Sequence, residues 1–358
     1  MAREIAGIRA AVFSDADTPG CLRHRILASL LIFLLVIAIL FSLGVGAVDV
    51  PLKTMARALV SREPLSADQR AIIFGIRLPR ILAATLVGSA LSVSGLLFQG
   101  LFLNPLADPY VIGSSGGAVL GASLGVFLLS SFSIAGFGAT ALLAFVGAIS
   151  SILLVYSLAR VQGRTPVVTL LLAGFAVSTM LSYSSYFLEV LDRDFGTGLR
   201  VLASWLHGTI AQPSWAQLAI VGVMVVFGLI ASVPLARRLN TLSLGEEYAT
   251  LLGIPVQQTR MAVIVVGSLL TAAAVALGGL ISFVGLVVPH MMRMLLGPDH
   301  TRLLPVTALA GAVFLLLTDT LARTVIAPAE LSVGVLTALI GGPFFLYLLR
   351  RTKQETLL

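Results

Sequence analysis

With 358 residues, 58% of them hydrophobic and 11% charged, and a mean hydropathy of +1.04, this chain is too apolar to be a soluble domain, since such domains carry about 25% charged residues. Its formal net charge of +7 raises nucleic acid as a partner, but the basic residues gather in short loops and at the termini, with no aromatic-basic stripe to follow a phosphate backbone, which sets that class aside. A single cysteine, Cys21, excludes an internal disulfide and a multi-cysteine metal site.

A bilayer is the remaining solvent. Residues 109–159 contain no Asp, Glu, Lys or Arg, enough for two spans of about 20 residues each. Lipid offers the backbone no hydrogen-bond partners, so spans are helices or a closed barrel. These runs are apolar on every side and lack the alternation of a barrel strand. The fold class expected is an all-α integral membrane protein.

In chain order, residues 1–25 form a polar N-terminal tail with Arg3, Arg9, Arg23 and Arg25. The apolar run 26–48 exceeds the roughly 7–15 residues of a signal-peptide core, so it is expected as the first membrane helix. A polar external loop follows at 49–80. Further spans are expected near 81–99, 110–130, 138–159, 166–188, 215–236, 261–296, 303–322 and 331–349. As one helix the 261–296 run would measure about 54 Å against a hydrocarbon core of about 30 Å. It must therefore reverse, and Gly278-Gly279 is where the backbone can do so. The result is about ten helices in a single transmembrane domain, 26–349, with a tail at 350–358.

Charge placement orients it. With the N-terminus inside, the inner segments hold Arg160, Arg164, Arg237, Arg238, Arg260, Arg293, Arg302, Arg350, Arg351 and Lys353. That obeys the positive-inside rule, and an even helix count leaves both termini cytoplasmic. The exception is the first external loop, with Lys53, Arg57, Arg62, Arg70, Arg77 and Arg80; it asks for an acidic partner outside. Gly88 and Gly95 are seven residues apart, as are Gly278 and Gly285. Such spacing fits either duplicated halves or close helix packing.

The energy source is partly legible. Residues 80–107, 165–188 and 261–292 contain no carboxylate, which argues against coupling through a buried Asp or Glu. A nucleotide loop of the form G-x-x-x-x-G-K-[ST] needs a lysine among glycines. The two lysines, Lys53 and Lys353, lie in no such loop, so no catalytic site is expected in this chain. Residues 243–256 are expected as a short inner helix. Gly245 precedes Glu246 and Glu247 in its first turn, where the helix dipole favours carboxylates. Tyr248, Leu251 and Leu252 form an apolar patch, and Gly253 and Pro255 end it. Such a helix either docks a partner or lies on membrane lipid.

Ser178, Ser182 and Ser185 fall on one face of the fifth span, with Thr179, Tyr183 and Tyr186 beside them. That stripe fits either a wetted path or packing of small polar residues between helices. His24, His207, His290 and His300 are far apart, and none has a ligand-type partner at i+4, so no metal site is expected.

Several strings together carry a family resemblance: Arg77-Leu-Pro-Arg80; Asn104-Pro-Leu-Ala-Asp-Pro109 with Gly113 and Gly116-Gly-Ala118; Leu-Gly-Glu-Glu at 244–247; Phe283-Val-Gly-Leu286 with Pro289-His290; Asp299-His300; Asp319 with Ala322-Arg323; and Glu330-Leu-Ser-Val-Gly334. In order, from Arg77 to the C-terminus, they resemble the FecCD-type permeases of bacterial ABC importers for ferric siderophores, haem and vitamin B12. The resemblance implies a multi-pass permease of the cytoplasmic membrane that pairs with a second permease copy. It also implies two ATP-binding cassette subunits, which bind ATP and magnesium, and an external substrate-binding protein. Residues 243–256 then match the helix that couples to the ATPase, through Gly245, Glu246, Glu247, Leu251, Leu252 and Gly253. The fifth span would line the path, and Arg77, Arg80 and Arg323 would meet glutamates of the binding protein. Two other readings stay open: an ion-coupled secondary transporter, and arginines that merely snorkel to headgroups, Arg323 pairing with Asp319 one turn earlier.

Overall fold

A computed structural model of the chain describes residues 19–46, 66–129, 131–160, 165–191, 197–210, 212–327 and 329–356. It is mostly helical: α1 Pro19–Gly44, α2 Ala67–Leu101, α3 Ser114–Leu128, α4 Ala139–Ala159, α5 Val167–Leu191, α6 Thr197–Leu206, α7 Trp215–Leu242, α8 Glu246–Leu251, α9 Val256–Gly278, α10 Val284–Leu296, α11 His300–Thr324 and α12 Val333–Thr356. Among the described residues, seven helices are long and apolar enough to cross a membrane: α1, α2, α4, α5, α7, α9 and α11. The apolar parts of α3, α10 and α12 are shorter. One departure from an all-α fold is a hairpin, β1 Ser133–Ile134 paired antiparallel with β2 Phe137–Gly138. Its central residues Ala135 and Gly136 both have positive φ, as tight hairpin turns require.

Helix α2 starts well before the end of the expected external loop, which is a correction to the 49–80 boundary. Ser66 and Gln69 form a reciprocal capping box: Ser66 Oγ accepts from the Gln69 amide at 3.2 Å and Gln69 Oε1 accepts from the Ser66 amide at 3.2 Å. The segment Ala71–Arg77 is π-helical, with the Leu78 amide donating to the Ile73 carbonyl. Pro79 follows, and a wider turn before a proline moves the preceding carbonyls away from its ring. Lys53, Arg57 and Arg62 lie outside the described residues.

While α3, α4 and α5 pack chiefly on one another, helices α1, α7, α9, α10 and α11 pack against α2. Small residues bring backbones into contact there: a Cβ at Gly88 would collide with the Gly311 carbonyl, and one at Gly95 with the Gly285 carbonyl. Gly117 and Gly147 meet the same way between α3 and α4. Without a hydrophobic drive between helices in lipid, such close approach is what holds them together. The glycine spacing in α2 therefore reflects packing. Gly278 and Gly285 share no helix, because α9 ends at Gly278 and Gly279 sits at φ +65°. The break expected at Gly278-Gly279 is present, and α10 resumes at Val284 after Phe283 at φ +69°.

Helices α3 and α10, at 15 and 13 residues, span only about 20 Å each and start partway through the bundle. The loop before α3 returns toward the interior: Pro109 packs on Gly285, and the Tyr110 hydroxyl donates to the Ile281 carbonyl at 3.4 Å. Non-helical backbone at such depth is tolerated where protein surrounds it or a cavity lies beside it. The sequence reading did not foresee the amphipathic α6, which buries Leu202 completely.

Candidate functional site

At the end of the bundle opposite α8, the three expected docking arginines come together, but buried. Arg77, Arg80 and Arg323 are 4–6% exposed. Arg80 Nε donates to Asp319 Oδ1 at 3.0 Å, and its Nη1 donates to Glu330 Oε2 at 2.7 Å. Arg323 Nε lies 3.2 Å from Asp319 Oδ2, a charge contact off the hydrogen-bond angle, and its Nη2 donates to Ser42 Oγ at 2.6 Å. Arg77 Nη1 donates to the Leu43 and Gly44 carbonyls at the end of α1. The guanidiniums thus join α1, α2, α11 and the segment before α12. Asp319 is fully buried, whereas the Glu330 side chain is 48% exposed and is the cluster's carboxylate toward solvent. The sequence reading paired Arg323 with Asp319 but did not find Glu330 or Ser42.

The expected serine face of α5 divides. Ser185 Oγ hydrogen-bonds Ser123 Oγ of α3, and the Ser178 backbone packs on Gly116 with its hydroxyl buried and unpartnered. Only Ser182 is exposed. As a correction, of the three serines only Ser182 shares the open face of α5 with Phe175, Thr179, Tyr183 and Tyr186, while Ser178 and Ser185 face α3. Ser178 and Ser185 turn inward because they are small enough for α3, itself rich in glycine, to approach them closely.

A carboxylate that the sequence reading placed outside the spans, Asp108, lies at the two helix breaks. Its Oδ1 accepts from the Tyr110 amide at 2.8 Å, capping the 3-10 turn Pro109–Ile112. It borders a cavity of about 340 Å³ with Tyr110, Ser115, Ser282, Phe283 and Leu286.

At the other end, α8 stands out from the bundle. Gly245 (φ +108°) and Gly253 (φ +80°) bracket it with left-handed backbone, and the Ile254 amide bonds back to the Ala249 carbonyl at 2.9 Å. Ala249 is buried and Glu246 pairs with Arg260 on α9, which fix its inner side. Leu244, Tyr248, Leu251 and Leu252 are exposed, Leu251 by 83%, and Glu247 faces out beside them. Two of these apolar residues lie on the six-residue helix and two flank it, so that together they make one exposed apolar patch of the kind that marks a contact surface. The four histidines sit on separate elements, and among the described residues no group of three His, Cys, Asp or Glu side chains gathers.

The FecCD transport family matches residues 34–351, a range that takes in the arginine cluster, the broken helices and α8. The chain belongs to the FecCD transport family. It is 39% identical over 339 residues to the hemin transport system permease protein of Yersinia pestis, covering 94% of this chain and 98% of that one. It is 42% identical over 312 residues to the cobalamin import system permease protein of Halobacterium salinarum, covering 87% and 82%. The Fe(3+) dicitrate transport system permease protein of Escherichia coli is 38% identical over 315 residues, covering 88% and 95%. A solved structure described as an inward-facing metal-chelate type ABC transporter superposes with a TM-score of 0.79 at 34% identity, over 91% of this chain and 99% of that one. As a FecCD member the chain is a multi-pass membrane transport protein, a permease rather than a catalyst. Of its expected site residues, the structure brings Arg77, Arg80 and Arg323 together and gathers Gly245 to Gly253 into one exposed element.

Proposed function

We propose that this chain is the permease subunit of a binding-protein-dependent ABC importer that carries a metal chelate, such as haem, a ferric siderophore or cobalamin, across the bacterial cytoplasmic membrane. The observation that carries the reading is α8: a short helix held rigidly from within and bare on an apolar outer face, as a contact with a separate ATP-hydrolysing subunit demands. ATP and magnesium would be bound there, by the partner. Among the described residues, the carboxylates found at depth, Asp319 and Asp108, have protein partners, arginines for the first and a backbone amide for the second, which argues against a carboxylate poised for ion coupling. The open faces of α5 and α12 suit a second permease copy and, between the copies, the path, with Ser182, Tyr183 and Tyr186 toward it. In this reading the binding protein docks at the arginine end, where an acidic group would reach Arg80 by displacing the half-exposed Glu330.

In proteoliposomes with the cognate ATPase and binding protein, chelate uptake should require ATP and persist when ion gradients are collapsed. Leu252→Asp should fold normally and lower uptake by about tenfold or more, since a carboxylate buried unpaired in an apolar contact is costly. Uptake that follows an ion gradient without ATP would establish a secondary transporter instead.

In the same reading the three short apolar helices also cross, which with the seven long ones would make ten crossings and leave both termini in the cytoplasm. In a Cys21→Ser background, Arg160→Cys and Arg350→Cys should be labelled only from the cytoplasmic side, and Asp68→Cys only from outside. Labelling of positions 160 and 350 from opposite faces would refute an even count.

A further inference from the structure

Next to α8, one side chain of α7 holds the start of α11. Asn240 Oδ1 accepts from the backbone amide of His300 and from its ring Nδ1, both at 2.8 Å. Asn240 Nδ2 donates to Asp299 Oδ1 at 2.6 Å. Asp299 is the N-cap of α11 and also accepts from the Thr301 amide at 2.9 Å and the Thr301 hydroxyl at 2.6 Å. Its other oxygen lies 3.3 Å from Arg302. Burial pushes the Asp299 carboxyl up, but its donors and Arg302 outweigh that and hold it below the usual carboxylate range, so it acts as a charged acceptor.

The ring of His300 carries the contact onward. Because the Asn240 oxygen accepts from Nδ1, the proton is on Nδ1 and Nε2 is a bare lone pair. That Nε2 is buried without a partner and faces the last turn of α2, 2.6 Å from where a Cβ on Gly100 would lie. Gly100 is therefore a space that only glycine leaves for the imidazole. On the α8 side, the Ser243 hydroxyl donates to the Asn240 carbonyl at 2.7 Å, and the Leu244 and Gly245 amides bond the Thr241 and Leu242 carbonyls at 3.2 and 3.0 Å. Asn240 thus belongs to one rigid turn with α8. Helices α2 and α11, which it reaches through His300 and Asp299, are tied again at their far ends by Arg80 and Asp319.

We propose that Asn240 is a positioning residue that carries displacement of α8, through His300 and Asp299, into the α2–α11 pair and so to the arginine end of the molecule. This rests on α8 being the contact with the ATPase. Its residues touch neither cargo nor nucleotide, so its signature is loss of coupling without loss of assembly.

The test uses the full complex in proteoliposomes, measuring basal ATPase, its stimulation by loaded binding protein, chelate uptake per ATP, and the melting temperature of the complex. Asn240→Ala should keep basal ATPase within about twofold and lower both stimulation and uptake per ATP by about tenfold. A second pair guards against misfolding: His300→Asn, whose amide nitrogen replaces the Nδ1 donor, should retain coupling, and His300→Ala should lose it at equal melting temperature. If these variants shift only melting temperature and yield, with uptake per ATP unchanged, the proposal is overturned. Leu252→Asp separates the two ideas. If it too leaves uptake per ATP unchanged, the reading of α8 fails; if it alone reduces uptake, α8 couples by another route.

Discussion

Gly95→Ala is expected to destabilise the protein at or above the top of the ~1–3 kcal/mol range typical of overpacking. The added methyl would lie far inside van der Waals contact distance of the Gly285 carbonyl oxygen, with the Gly285 carbonyl carbon 2.5 Å away and its Cα at 2.7 Å. Backbone on both sides leaves no flexible side chain to yield, so α2 and α10 must separate. Separation also pulls Pro109 from Gly285 and opens the cavity at Asp108. Gly222→Ala on α7 is the control, because its nearest neighbour would be Leu86 Cδ1 at 3.8 Å and alanine favours the helix by about 1 kcal/mol. Melting in detergent, with the monodisperse fraction from size exclusion, should show a large loss for the first and none for the second. Equal melting of Gly95→Ala and the parent would mean that α2 and α10 are not in backbone contact.

Asp319→Ala should cost about as much, ~3–5 kcal/mol, because removing one partner of a buried ion pair leaves the other uncompensated. Here two arginines are left, Arg80 and Arg323, both buried. Glu330→Gln should cost far less, since its carboxylate is half in water and exposed pairs contribute about 0–1 kcal/mol. The double variant Asp319→Ala with Arg323→Leu should recover part of the loss, a coupling that a double-mutant cycle isolates. If Asp319→Ala melts with the parent, the cluster does not hold α2 to α11. The same geometry makes charge reversal at Arg77 and Arg80 a poor docking test: it would put a carboxylate beside Asp319 at position 80 and one against the Leu43 and Gly44 carbonyls at position 77, and so disrupt the mouth of the bundle. Glu330 is the position at which docking is addressed without that cost to the fold.

What the sequence determined by itself is whatever depends on local order along the chain. The apolar runs gave the membrane class and the places of the long apolar helices, because span length is set by bilayer thickness. The glycine pair at 278–279 gave the break in the 261–296 run, and Gly245 and Gly253 gave the limits of α8, because left-handed backbone favours glycine. Even the capping box that starts α2 at Ser66 was there to read as Ser-x-x-Gln. Only the tertiary structure decided which polar groups meet. Arg80 and Asp319 are 239 residues apart, and a row of arginines reads as an exposed docking patch until its buried partners are seen. The serines of α5 fit either a wet stripe or helix packing until Gly116 and Ser123 of α3 are found against Ser178 and Ser185. Asp108 lay between spans in the sequence and reached the bundle interior because α3 and α10 start partway through it. Asn240 and His300, polar residues of ordinary appearance at two helix termini, became one connection because the end of α7 lies beside the start of α11. Periodicity fixes which face a residue occupies; packing alone fixes what that face touches.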